Sequence, residues 1–202
     1  LLSYQTAYLK ANFPLEFMTS LLNNDINNFN KISDYSSECE KMNIWILPPD
    51  ITESDGLFKI FGNDIIYGLG CIKNVGTGAI KSILEAKEKG SFTSLFDFCE
   101  RVNLRTVNRK VIESLIKAGA FDFLEIPRSQ HFAMIEDAIN YGAKMQKKAE
   151  DGQIAIFQDT NDSVALMSAN ALKSLPEWTD TRLLFYEKEM LGIYLTGHPL
   201  KR

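Results

Sequence analysis

The sequence predicts a mainly α-helical protein with one small β-hairpin, in which two short helix pairs stand in tandem between a helical lead and a polar linker. Three observations predict it. Apolar residues recur every three or four positions through most of residues 4 to 149. A single pair of strand-like runs brackets Gly62-Asn63-Asp64. Residues 151 to 175 are rich in Asp, Asn, Ser and Gln, with too few apolar residues to sustain a packed core.

Taken in order, a first helix is expected over residues 4 to 22, with Pro14 suited to a first helical turn and Phe17, Met18, Leu21 and Leu22 facing the core. Asn23-Asn24-Asp25 stops it. A second helix, from about 28 to 42, carries the stripe Phe29, Ile32, Tyr35, Cys39, Met42 and completes a helical unit over 1–50. Residues 44 to 47 read as a short strand closed by Pro48-Pro49-Asp50; Leu57 to Phe61 and Ile65 to Tyr67 form a hairpin inside a 51–67 connection. A unit over 68–127 holds four short helices, at about 69 to 73, 78 to 88, 94 to 101 and 108 to 118. One longer helix over 129 to 149 fills 128–150, its end marked by Lys144, Lys147 and Lys148. The linker takes 151–175 and a closing segment 176–202; starting without Met, the chain reads as an excised fragment.

Composition narrows the function classes. The 202 residues are 45% hydrophobic and 24% charged, as in ordinary folding domains. No apolar run approaches the ~20 residues of a membrane span and no signal peptide opens the chain, so a cytoplasmic protein without a membrane partner is expected. Cys39, Cys71 and Cys99 are odd in number with no close pair, which predicts buried free thiols and no metal site. The net charge of -4 is unevenly spread: residues 68 to 128 carry 10 Lys and Arg against 7 Asp and Glu, while the rest carry 12 against 19. A basic patch on an acidic chain is compatible with a nucleic-acid partner and equally with a solvated surface.

The turn Lys73-Asn74-Val75-Gly76-Thr77-Gly78, between Ile72 and Ala79-Ile80, has the apolar-Gly-x-Gly form of a helix-hairpin-helix DNA-binding module. Without Cβ atoms, Gly76 and Gly78 are expected to take backbone angles closed to other residues and to let the main chain approach a phosphate. Unpaired N–H groups and the positive end of the helix dipole would then hold the anion without reading sequence. Val75 should tuck inside, Ile80, Ile83 and Leu84 should pack against the preceding helix, and Lys73 and Lys81 should stand at the rim. The same glycine pattern also serves as a plain helix cap.

A second copy over residues 94 to 118 weighs toward DNA. Its turn, Val102-Asn103-Leu104-Arg105-Thr106, lacks the glycines, so contact there would rest on Arg105, Arg109 and Lys110. Stacked as a pair, the two hairpins would straddle a minor groove by its phosphates. The acidic pairs Asp50 with Glu53 and Glu187 with Glu189 read as solvated faces, His198 as part of a turn and His131 as a surface residue; none is assigned catalysis.

The order of segments resembles the alpha subunit of bacterial DNA polymerase III, the replicative C-family polymerase, over essentially the whole chain. Ser3-Tyr4-Gln5-Thr6-Ala7-Tyr8-Leu9-Lys10-Ala11, Pro14-Leu15-Glu16-Phe17-Met18 and Leu47-Pro48-Pro49-Asp50-Ile51 resemble its outer fingers. Tyr67 through Gly78 and Asn108-Arg109-Lys110-Val111 through Gly119-Ala120-Phe121-Asp122 are similar to its helix-hairpin-helix region. The resemblance implies a DNA polymerase, a nucleotidyltransferase, whose catalytic aspartates and magnesium lie in a palm domain upstream. This fragment would then grip duplex DNA leaving the active site, with no cofactor of its own. Pro176-Glu177-Trp178 and the stretch to Gly197-His198-Pro199-Leu200 resemble the approach to an oligonucleotide-binding barrel.

Inside the linker, Gln153-Ile154-Ala155-Ile156-Phe157 resembles the pentapeptide by which such polymerases dock on the sliding clamp, the beta subunit. Ile156 and Phe157 would enter an apolar pocket while Gln153 bonds at its edge. The same residues also suit a strand folded back on the domain. The resemblance further implies other subunits of the polymerase III holoenzyme as partners. The alternatives are a helix-hairpin-helix repair protein, a helical protein that binds only proteins, and an error-prone relative of the same polymerase family.

Overall fold

The computed structural model describes residues 1–26, 28–150 (the Glu150 side chain excepted) and 175–197. The Gln153–Phe157 peptide, nearly all of the 151–175 linker and the His198-Pro199 turn lie outside the described residues. The described chain is mainly helical with one three-stranded sheet, as the sequence predicts.

Helices α1 (Leu2–Asn12) and α2 (Pro14–Asn24) replace the single helix expected over 4 to 22. Proline bars its predecessor from helical angles, and Phe13 sits at φ -136, ψ 57. α2 buries Met18 and Leu22, whereas α1 buries nothing and leaves Leu2, Tyr4, Tyr8 and Leu9 exposed. α3 (Phe29–Lys41) starts at Asn28, whose side chain accepts from Lys31 N–H, and buries Ile32 and Cys39 as its stripe predicts.

Strands β2 (Lys59–Phe61) and β3 (Asp64–Ile66) pair antiparallel around Gly62-Asn63, with Ile60 opposite Ile65. β1 (Ile46–Leu47) joins the other edge of β3 in parallel, Ile46 opposite Ile65, making the order β1-β3-β2. The helix expected at 69 to 73 is a single 3-10 turn, Leu69–Cys71. Lys73 N–H, which would close the first α-helical bond on the Leu69 carbonyl, goes instead to the Met190 carbonyl (3.0 Å), and Ile72 N–H closes the tighter turn on Leu69 (3.3 Å), so no α-helical ladder forms.

The remaining helices are α4 (Thr77–Lys87), α5 (Leu95–Arg101), α6 (Arg109–Ala118), α7 (Arg128–Ala133), α8 (Ile135–Glu150) and α9 (Asp180–Leu191). The single helix expected over 129 to 149 is thus broken at Met134 into α7 and α8. α5 lies along α8 so closely that a Cβ on Gly142 would strike the Cys99 carbonyl, and Gln146 Nε2 lies within hydrogen-bond reach of the carbonyls of Cys99, Glu100 and Val102 at the end of α5. Edge-to-face rings Phe92, Phe98 and Phe121 build the core beneath α5 and α6. Burying rings of that size contributes roughly 2 to 3 kcal/mol each.

Three expectations about single residues change. His131 is 1% exposed, its ring tilted against Phe121 at 5.9 Å between centres, with neither ring nitrogen hydrogen-bonded among the described residues. It is a core residue because α7 buries the face that carries Arg128, Ser129 and His131, with His131 against Phe121. Glu187 is also 1% exposed, because its carboxylate accepts from Leu195 N–H, Thr196 N–H and the Thr196 hydroxyl and faces Arg128. Asp50 is half-buried and accepts from the Thr52 N–H and hydroxyl, an Asx turn rather than a solvated face. The three cysteines are buried and free, and burial raises their thiols to about 11 for Cys39 and about 12 for Cys71 and Cys99, which keeps them protonated and inert.

Candidate nucleic-acid interface

The first turn is shaped by one left-handed residue, and it is not a glycine. Asn74 has φ 69, a conformation that asparagine tolerates, while Gly76 is extended (φ -88, ψ 168) and Gly78 has no positive φ. The expectation that these glycines supply forbidden backbone angles is therefore corrected. What they supply is bareness. A Cβ on Gly76 would meet nothing within 4 Å, and one on Gly78 only Thr106, at 3.5 Å. Val75 is 7% exposed and packs inward, whereas Lys73, Asn74, Gly76, Thr77 and Gly78 are exposed.

Gly76 is the N-cap of α4 and no side chain caps it, so the first N–H groups of the helix point outward without an internal acceptor. At the opposite end Arg101 closes the helix, donating from Nη2 to the carbonyls of Ala86 and Gly90 and from Nη1 to Ser91, with its guanidinium 4.5 Å from the Phe92 ring centre. One end of the α4 dipole is neutralised and the other is open.

The second turn lies beside the first. Thr106 abuts Gly78, and Asn103 N–H donates to Ser82 Oγ on α4 (2.7 Å). Most of its own N–H groups are used: Arg105 N–H donates to Asn103 Oδ1, and those of Thr106 and Val107 to the Asn103 carbonyl. Asn108 caps α6 by accepting from Val111 N–H. Anion contact here falls to side chains. Arg105, Lys110 and, at the first turn, Lys73 are exposed and carry no ion-pair partner among the described residues. Lys81 stands 3.8 Å from Glu85, and Arg109 is held by Glu113 (2.7 Å) and Glu136.

Sequence reading missed the supports of this face. Asn103 organises the second turn, a role signalled by an Asx residue two positions before Arg105. The end of α9 docks on the first turn: Lys73 N–H donates to the Met190 carbonyl (3.0 Å) and the buried Tyr67 hydroxyl to the Leu191 carbonyl (2.7 Å). Arg128 fastens the same helix through Asp122 and Glu187. Burial alone would lower the Arg128 pKa, but its hydrogen bond to Asp122 and the Glu187 and Glu177 charges more than offset that and raise it. No local pattern signals any of these three contacts. Among the described residues no cluster of three or more His, Cys, Asp or Glu is arranged to hold a metal, and no helix is long and apolar enough to cross a membrane.

A family model described as a helix-hairpin-helix motif matches residues 43–131. Along its length the chain is similar to the DNA polymerase III subunit alpha of Mycobacterium tuberculosis (40% identical, covering 99% of this chain and 17% of the relative). It is likewise similar to that of Vibrio cholerae (41%, covering 99% and 17%) and of Thermus aquaticus (38%, covering 100% and 16%). The chain thus spans 16 to 17% of the length of these relatives.

Proposed function

We propose that this chain, homologous over its whole length to one segment of DNA polymerase III alpha subunits, is the part of such a polymerase that holds duplex DNA by its phosphates and docks on the sliding clamp. The observation that carries the DNA half is the outward, uncapped start of α4 at Gly76-Thr77-Gly78, with the second turn alongside. Bare N–H groups hold one phosphate run, while Arg105 and Lys110, with Lys73 and Lys81 at the first rim, supply charge. Nothing in this arrangement reads a base edge, so contact is independent of sequence.

The parent protein is a DNA-directed DNA polymerase, cytoplasmic, working with the other holoenzyme subunits in chromosome replication. Its nucleotidyl transfer and its magnesium belong to a palm domain elsewhere in that protein; the described residues do not fit a metal site, and no chemical step is assigned to them. The clamp half rests on the sequence Gln153-Ile154-Ala155-Ile156-Phe157, which follows the hairpin region within a polar stretch. Ile156 and Phe157 fill an apolar pocket on the clamp and Gln153 bonds at its rim.

The purified 202-residue chain is expected to bind immobilised bacterial sliding clamp, and a triple alanine variant at Gln153, Ile156 and Phe157 to lose that binding while keeping its affinity for duplex DNA. A folded chain that ignores the clamp refutes the docking role and leaves the DNA reading standing.

A further inference from the structure

The first turn and the helix that follows the second are joined by a contact between residues 40 positions apart. Asn74 Nδ2, on the left-handed residue of the first turn, donates to Ser114 Oγ on α6 (3.0 Å), and that hydroxyl donates in turn to the Lys110 carbonyl (2.9 Å). Ser114 is 2% exposed, in the helix whose start carries Arg109 and Lys110. The Asn74 side chain is therefore directed at the second hairpin.

We propose that Asn74 is a positioning residue: with Ser114 it forms a strut that sets the spacing of the two turns, so that both engage one duplex at once. This rests on the phosphate-binding reading above and assigns Asn74 a different part in it, support rather than contact. The physical logic is that of linked binding sites. Two weak phosphate sites held at a matched spacing act as one strong site, and the advantage disappears when their relative placement loosens.

The strut is removable without disturbing the fold. Asn74→Gly keeps the positive φ at no steric cost and leaves the Ser114 hydroxyl bonded to Lys110. Ser114→Ala leaves the exposed Asn74 amide to water. In the full chain, with a duplex long enough to span both turns, each variant and the double are expected to weaken binding by the same amount, roughly fivefold, because they cut one contact. The dependence of log K on log salt should flatten by about one phosphate, at about 0.9 per phosphate, a change that simple loss of folded protein does not produce. In a background where Arg105 and Lys110 are already alanine, Asn74→Gly should have no further effect.

Additive losses, an unchanged salt slope, or an undiminished loss in that background would overturn the strut and make Asn74 a direct phosphate contact or a fold residue. A folded wild-type chain that binds no duplex overturns the phosphate-binding reading itself, and the strut with it.

Discussion

The two hairpins share a plan and divide the chemistry. The first offers backbone: an uncapped helix start whose N–H groups are bare because Gly76 and Gly78 lack side chains. The second has spent most of its turn donors on Asn103 and one N–H of its helix start on the Asn108 side chain, and offers the exposed side chains of Arg105 and Lys110. The lesson is that a turn's capacity to hold an anion follows from where its donors are left over. A turn that satisfies itself must borrow charge from side chains, and its grip then depends more on salt.

Filling the bare turn should have the largest effect. With open space at Gly76 and only Thr106 near Gly78, the double change Gly76→Val, Gly78→Val should leave the melting temperature close to wild type and weaken duplex binding by about a hundredfold, read by anisotropy titration. Equal binding by the folded variant would break the contrast between the hairpins.

Acid should loosen the second hairpin through its core. Burial lowers the His131 pKa to about 4, and its ring lies against Phe121, which packs on Phe98 of α5. The unfolded chain binds this proton near pH 6.5 and the folded chain only near 4, so stability is full above pH 6.5 and falls as pH drops toward 4. Roughly 2 kcal/mol should be lost by this route between pH 7 and pH 5, and His131→Leu should flatten that part of a denaturation series.

Smaller effects sharpen the division. Arg105→Ala with Lys110→Ala should cost about tenfold in affinity and flatten the salt slope by about two phosphates, whereas the glycine variants lower affinity with less change in slope. Arg109→Ala should change binding less than about twofold, because Glu113 and Glu136 already hold that guanidinium and a surface ion pair contributes little.

Much of the fold was legible because its signals are local. The stripe of α3, the Gly62-Asn63 hairpin, the Val75-Gly76-Thr77-Gly78 turn and the buried cysteines all follow from spacing and residue type within a few positions. Even the break at Phe13-Pro14 is local, though an apolar period that runs across it hides it in the sequence. In the site, the turn and its five cations were readable, but not that Lys81 and Arg109 are ion-paired while Lys73, Arg105 and Lys110 are not among the described residues, nor the reason for the glycines, since a φ value is not written in a residue's name.

Local signals along the chain were enough to give a mainly helical fold, an apolar-Gly-x-Gly turn and an excess of positive charge over residues 68 to 128. Which polar groups support that turn emerges only from contacts distant in sequence: Asn74 on Ser114, Lys73 and Tyr67 on the end of α9, and Arg128 between Asp122 and Glu187. A buried polar group must find its complement somewhere in the folded chain, but its own neighbourhood in sequence carries no record of where that complement lies.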